Sequence, residues 1–461
     1  MKKNNIGKIA FSAFVFIWLA QLKAWSAQDP VIKHVFLVSI DGLKPESYTQ
    51  ADHYGLKIPN LRQMMKDGAF SPGARSVMPA NTYPSHTSII TGVNPARHGI
   101  VTNVSFDPPR LNGGGWRWYS GDIHVPTIWG LAYQQGLKTG MIDWPVTVGA
   151  KADFVLPEFW RSCGEENFTA DDLKLLSALS TPGLWDEVSG EFPNFRQKYS
   201  GDFTDRDEAA TEAAVHLIAK YQPSLILLHL AQVDHLEHLF GPFSPEAKQA
   251  TENADALLGQ IEEAAKKTGI WKESVLFVVS DHGFMPTRSE VDPGILLFQN
   301  GLIALSHHKI LDWQASILSN GGSAYIYLEN PKDKSLQKKV RNIFIAAIKK
   351  PASGIRRVIS ESEIRRLGGD PKAFLALEAK DGIIFGSHYS GDYTRASWLL
   401  GNHGYFPDNL KMRASLLVYG PAIKKSQIKS ARLIDVAPTI ASWLKLPLKN
   451  TDGKNLPVRL K

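Results

Sequence analysis

Cysteine is almost absent: Cys163 stands alone in 461 residues, which excludes any internal disulfide. A chain without that staple depends on its core, and an apolar content of 43% over this length supplies one. The length allows two or three domains, or one large α/β core carrying an insertion. Long apolar runs are scarce too. The stretch from Ile9 to Ala20 is shorter than the ~20 residues of a membrane-spanning helix. It follows Lys2, Lys3 and Lys8 and precedes Ala24, Ser26 and Ala27, so the sequence predicts a cleavable secretory signal over residues 1–26 rather than an anchor. Acids are missing from that segment, and its four lysines inflate the formal +7, leaving +3 on the remainder. Basic residues elsewhere fall in scattered pairs such as Lys266-Lys267 and Lys424-Lys425, a pattern of solvated helix faces with no evident nucleic-acid track. Gly113-Gly114-Gly115 is not followed by Gly-Lys-Ser/Thr, so it is no phosphate loop. No internal repeat or low-complexity tract occurs. Asn103-Val104-Ser105 and Asn167-Phe168-Thr169 match the glycosylation acceptor pattern and carry no argument.

What is present is a recurring unit: a buried-strand pattern running into acids. His34 to Ile40 precedes Asp41-Gly42, Leu225 to Leu230 precedes Asp234 and His238, and Val275 to Ser280 precedes Asp281-His282-Gly283. Open α/β sheets place ligands at the C-terminal ends of their strands, and Gly42 frees the backbone to turn there. Helix-compatible stretches at Asp205 to Tyr221 and Pro245 to Thr268 separate the strands, which argues for a mostly parallel central sheet flanked by helices. A fourth cluster, Gly401-Asn402-His403-Gly404, precedes the apolar run Ala414 to Tyr419, where the sheet is expected to resume, and Ile434 to Leu444 reads as a closing helix. The expected organisation is a catalytic core over residues 27–284 and 398–461, with 285–397 inserted as a smaller lid.

The chemistry centres on Pro79-Ala80-Asn81-Thr82-Tyr83-Pro84-Ser85-His86, read as a stiff, proline-bracketed loop that opens into a helix at Thr87. Thr82 is the candidate nucleophile. A threonine hydroxyl attacks poorly at neutral pH, and a bound metal ion is one of the few ways to activate it. Asp234 and His238, four apart on a helical turn, share one face, and His403 would complete a set of Asp, His and His with an open position, as catalytic zinc uses. Asp41, Asp281 and His282, with Thr82 itself, form a second set. Two metals ~4 Å apart suit in-line displacement at phosphorus. His86, His98 and His235 gain no such support and are read as structural.

Ser39-Ile40-Asp41-Gly42, Asn81-Thr82-Tyr83-Pro84, His98-Gly99-Ile100-Val101-Thr102-Asn103, the Asp234/His238 pair, Asp281-His282-Gly283, Gly401-Asn402-His403-Gly404 and Asp435-Val436-Ala437-Pro438-Thr439 together resemble the nucleotide pyrophosphatase/phosphodiesterase family of the alkaline phosphatase superfamily. The resemblance spans the chain after its first segment. It implies an α/β sandwich with two zinc ions, a phospho-threonine intermediate on Thr82, Asn103 binding a phosphoryl oxygen, and Tyr83 as an aromatic wall. Tyr83-Pro84-Ser85-His86-Thr87 departs from the commoner Phe-Pro-Asn-His-Tyr, and Trp144-Pro145-Val146 lacks the glycine often found after Trp-Pro. Those departures bear on the substrate.

The sequence therefore predicts an exported, secreted or periplasmic, two-zinc phosphodiesterase or nucleotide pyrophosphatase acting on a small phosphoester, a nucleotide or a lipid headgroup. The alternatives are a threonine-nucleophile phosphomonoesterase and a phospholipid or phosphonate hydrolase. A sulfatase would need Cys or Ser followed by Pro and Arg, and a non-catalytic binding protein would lack a ligand; neither holds here. A monoester presents one more anionic oxygen than a diester and needs extra cations. The monoesterases of this superfamily resemble one another in supplying Lys-x-Arg, whereas this chain has Lys151-Ala152-Asp153, with Arg161 as the substitute candidate. Phe159, Trp160 and Trp144 join Tyr83 as candidate substrate-binding residues, which favours the diester.

Overall fold

A computed structural model describes residues 32–109, 115–160, 170–307 and 309–461. The signal reading on 1–26, Arg161, Cys163, the acceptor pattern at Asn167, and Gly113 and Gly114 lie outside the described residues.

Three strands form the centre: β1 (His34–Ile40), β5 (Leu225–Leu230) and β6 (Ser274–Val279), with β2 (Ala69–Phe70), β3 (Thr139–Ile142) and β4 (Phe154–Leu156) on the flanks. Every residue of β5 and β6 is buried. Their apolar sequences, interrupted in β5 by His229 alone, follow from helices covering both faces of the sheet. The pleat divides them with period two: Phe36, Val38 and Ile40 enter one core with the helices Phe203–Tyr221 and Pro245–Lys267, while Val35 and Leu37 enter the other with Ile89, Ile90 and Ile440. Each such side chain contributes roughly 1.5–3 kcal/mol by leaving water.

The sheet has eight strands in the order Ser426–Gln427, β2, Leu416–Tyr419, β6, β1, β5, β3, β4. β1 runs parallel to both β5 and β6, with Ser39 opposite His229 and Val279. The three strands thus end at one level, and the acids that follow them emerge along one edge. The resuming strand Leu416–Tyr419 is antiparallel to β6, because the chain returns to the sheet from that same edge and must run down it.

Residues beyond β6 build a four-stranded antiparallel sheet in the order Ala315–Ser319, Ser323–Leu328, Leu375–Ala379, Ile355–Ser360. It packs with the helix Lys334–Ile348 around Ile326, Val340 and Phe344. Met285–Pro286 pairs with Gly401–Asn402, so the exit and return of this excursion are joined beside the strand ends. Gly404, at φ 80°, turns the returning chain where a Cβ would lie 1.6 Å from the Asn320 carbonyl. The closing helix is Val436–Trp443.

The segment around Thr82 differs from the expected loop. The helix begins at Thr82 itself and runs to Thr91. Pro84 is tolerated at its third position because the first N–H groups of a helix have no intrahelical partner to lose.

Candidate functional site

The strand ends bring the expected residues to one place. Asp41 leaves β1, Asp281 and His282 leave β6, and Asp234 and His238 lie on the helix Gln232–Phe240 after β5. His403 arrives on the returning loop. His282 Nε2 lies 2.9 Å from Asp281 Oδ2, 3.4 Å from Asp41 Oδ1 and 3.9 Å from Asp234 Oδ1. Asp234 reaches His238 Nε2 at 3.5 Å through Oδ2 and His403 Nε2 at 3.7 Å through Oδ1. His282 and His403 stack at 3.6 Å between ring centres. Two adjoining groups result, Asp41/Asp281/His282 and Asp234/His282/His403, with His238 at the rim of the second.

These side chains fit metal ions. Tetrahedral zinc with bonds of ~2.0 Å sets its ligand atoms about 3.3 Å apart, inside the observed range. Asp41 Oδ1, Asp234 Oδ1, Asp281 Oδ2 and both ring nitrogens of His282 are buried without a well-aligned hydrogen bond, the close approach of His282 Nε2 to Asp281 Oδ2 included, an arrangement that is costly unless a cation completes it. His238 Nδ1 donates to the Gly401 carbonyl (3.0 Å) and His403 Nδ1 to the Ala80 carbonyl (3.1 Å). Each leaves its Nε2 lone pair turned toward Asp234, the orientation a metal-binding imidazole needs. Gly42, at φ 69°, donates its N–H to Asp281 Oδ1 (3.2 Å), and a Cβ there would lie 3.2 Å from the Asp234 backbone.

Burial, and then the charges of Asp281 and Asp234, push the Asp41 carboxyl well above its usual range. Burial also works against ionising Asp281, but the charge and hydrogen bond of the neighbouring His282 ring outweigh it and hold that carboxyl low. His403 is kept neutral by burial first and by the neighbouring His282 and His238 second. Crowded carboxylates and a neutral imidazole are the electrostatics of a cation site.

Thr82 is placed by its neighbours. His403 bonds to Ala80, two residues before it. His86, one turn after it, donates Nδ1–H to the Thr82 carbonyl (2.9 Å) and lies 3.8 Å from Asp281 Oδ2. His86 Nε2 accepts from Ser39 (2.8 Å), and burial lowers its pKa to about 3, so the ring is a neutral strut. Asn103 Oδ1 accepts the Tyr83 N–H (3.0 Å), which presents its Nδ2 as a donor beside the first turn of the Thr82 helix.

Other residues fall elsewhere. Tyr83 and Trp144, expected in the substrate pocket, are both 0% exposed. Tyr83 packs with Ile100, Trp118, Val146 and Val148, and Trp144 meets the His86 ring edge-on, so neither offers a face to solvent. Phe159 and Trp160 are partly exposed and form an aromatic wall with Trp116, 4.8 Å from Trp160. Lys151 is exposed. Asp153 accepts from the Thr139 N–H (2.8 Å) and joins β3 to β4. His98 is a buried strut bonded to Ser88 (2.9 Å), and His235 stacks on Phe203.

Sequence reasoning missed His229, a histidine amid the apolar β5; that oddity was the available signal. Both its ring nitrogens face acceptors, Nε2 at 2.9 Å from Asp41 Oδ2 and Nδ1 at 3.1 Å from the Asp143 carbonyl. Asp143, at φ 53°, is gripped by Arg206 through two bonds of 2.7 Å and by the Tyr199 hydroxyl at 2.9 Å. Glu158 lies behind them, its carboxyl pushed up to about 8 by burial first and by Asp143 second. His229→Ala is expected to weaken metal binding at the Asp41/Asp281/His282 group about 10–100-fold, since removing the group that orients a ligand costs that much. Titration with a graded series of chelators, reading bound metal, measures it; unchanged affinity would show that Asp41 needs no such support.

Residues 35–406 match the model of the type I phosphodiesterase / nucleotide pyrophosphatase family. The human ectonucleotide pyrophosphatase/phosphodiesterase family member 1 is 27% identical over 258 residues, covering 54% of this chain and 23% of that protein. The chain thus aligns with about a quarter of that relative's length. Human family member 5 is 23% identical over 452 residues, 97% of this chain and 81% of its own. Among solved structures, mouse ectonucleotide pyrophosphatase / phosphodiesterase 5, as an inactive threonine-to-alanine variant in complex with AMP, superimposes with a TM-score of 0.64 at 20% identity, over 92% of this chain and 97% of that one. That likeness shows a shared fold.

Proposed function

The chain belongs to the type I phosphodiesterase / nucleotide pyrophosphatase family, and on that premise we propose that it is an exported hydrolase of phosphodiester or pyrophosphate bonds, holding two Zn²⁺ and using Thr82 as nucleophile. The observation that carries the reading is the set of buried, unpartnered carboxylate and imidazole atoms gathered beside the first turn of the Thr82 helix. One ion would sit among Asp41, Asp281, His282 and Thr82, the other among Asp234, His238 and His403. Bound there, the metals supply Lewis-acid charge to the attacking and leaving oxygens.

The chain's own groups do the rest. Thr82 Oγ1 attacks phosphorus, one P–O bond forms and the bond to the departing group breaks. Asn103 Nδ2 and the backbone N–H of Thr82 hold the non-bridging oxygens, where loss of a single donor costs ~3 kcal/mol. A diester leaves its remaining ester on Thr82, and water then cleaves the threonyl–phosphorus bond. The excursion over 285–397 is proposed as a lid, supported by the contact of Asn320 with Gly404 next to His403. Export is supported by the signal pattern in residues 1–26, and no helix among the described residues is long and apolar enough to cross a membrane. The substrate is a small phosphoester, a nucleotide or a lipid headgroup; the AMP bound by the mouse relative favours the nucleotide.

Diester preference follows from the missing cations. Where the monoesterases place an arginine this chain has Asp153, which is committed to β3, and Lys151 before it is exposed, so the Lys-x-Arg pair for a third phosphoryl oxygen is missing. The expected kcat/KM for thymidine 5′-p-nitrophenyl phosphate exceeds that for p-nitrophenyl phosphate at least about tenfold, or ~1.4 kcal/mol. Equal or reversed values would move the assignment to the monoesterase.

A further inference from the structure

Three arginines meet where the core touches the inserted sheet, in a cavity that they share with two acids, Glu363 and Asp408. Arg75 and Arg413 are half-buried on neighbouring backbone segments held by the Ala74–Ala414 bridge. Arg366 reaches the same cavity, of about 230 Å³, from the helix Glu361–Leu367. None of the three guanidinium groups makes a hydrogen bond or ion pair among the described residues. The other charges lining the cavity are already committed. Arg357 is gripped by Asp408 through bonds of 2.9 and 2.7 Å and by Glu378 at 2.8 Å. Glu363 caps its own helix through Ser360.

Half-burying arginines side by side is unfavourable unless an anion joins them. Burial first, and the Arg75 charge second, pull the Arg413 guanidinium below its ordinary value, and the Asp408 charge only partly offsets them. Gly73 makes room for the stem of the Arg413 side chain, since a Cβ there would lie 3.1 Å from the Arg413 Cβ. Guanidinium forks match tetrahedral oxyanions in shape and charge. Arg75, Arg357, Arg366 and Arg413 against Glu363 and Asp408 leave the lining with a net positive charge.

We propose that Arg75, Arg366 and Arg413 form a second anion site, separate from the metal centre, that binds a phosphate group and clamps the inserted sheet to the core. Two of its arginines come from the core and one from the insertion, so occupancy ties the two together. The site stands independently of the catalytic reading, because it shares no residue with it.

Calorimetric titration of the zinc-loaded enzyme with inorganic phosphate tests it. The expected result is two binding events, one at the metals and one that disappears in Arg75→Gln/Arg413→Gln while turnover in phosphate-free buffer is unchanged. Arg366→Gln, at an exposed position, is a milder variant should the double one fold poorly; it is expected to weaken the second event about tenfold or more. Phosphate should also raise the melting temperature of the wild type more than that of either variant. A parallel titration with glycerol 3-phosphate separates the sources: tighter binding than phosphate assigns the site to phosphate monoesters, weaker binding to the free ion. Binding events that survive both variants unchanged, or a wild type that shows no event the variants remove, overturn the proposal.

Discussion

Thr82→Ala is expected to lower kcat/KM toward a nucleotide diester by at least about 10⁴-fold, the scale on which enzymes lose activity with their nucleophile or its activating partner. The residue opens its helix, with Ala80 two residues before it tied to His403 and His86 one turn after it against Asp281. Thr82 is only half-buried and alanine is a good helix former, so folding and metal binding at Asp234, His238 and His403 should persist. Thr82→Ser should retain part of the activity, since it keeps the hydroxyl and loses one methyl. Steady-state kinetics with metal analysis on both variants checks the claim. An alanine variant that turns over diesters at the wild-type rate would remove Thr82 from the mechanism.

Metal removal comes next in size. Exhaustive chelation is expected to abolish turnover and to lower the melting temperature, with Zn²⁺ restoring both and metal analysis returning two ions per chain. Activity falls because Thr82 is then an ordinary alcohol. Stability falls because a ligand bound only to the folded state is lost, leaving buried acids such as Asp41 and Asp281 facing one another. Nitrogen and oxygen donors in small sets favour zinc over calcium or magnesium, which take all-oxygen shells. Full turnover by protein shown to be metal-free would contradict the account.

The local parts of this site were legible in the sequence. Each metal-binding candidate follows an apolar strand or a Gly-Asn turn within a few residues, and strand ends in an α/β sheet are where ligands gather. What depends on neighbours in space was not legible. His229 matters because β5 lies beside β1, and strand order is not written along the chain. Tyr83 and Trp144 read as pocket aromatics, yet whether a ring faces a cavity or a core is settled by packing between distant segments. Pro79 and Pro84 suggested a loop around Thr82, but a proline in the first turn of a helix looks the same in sequence. Arg75, Arg366 and Arg413 are far apart in the chain, and none stands out until the sheets are assembled.

The central claim is that Thr82 carries the substrate's phosphorus between two displacements. Each in-line displacement inverts the configuration at phosphorus, so two in succession restore it. The most direct measurement is the stereochemical course of hydrolysis of a nucleotide phosphorothioate diester of known configuration in ¹⁸O-labelled water. Overall retention is the result the account predicts; overall inversion, which means direct attack by water, would contradict it.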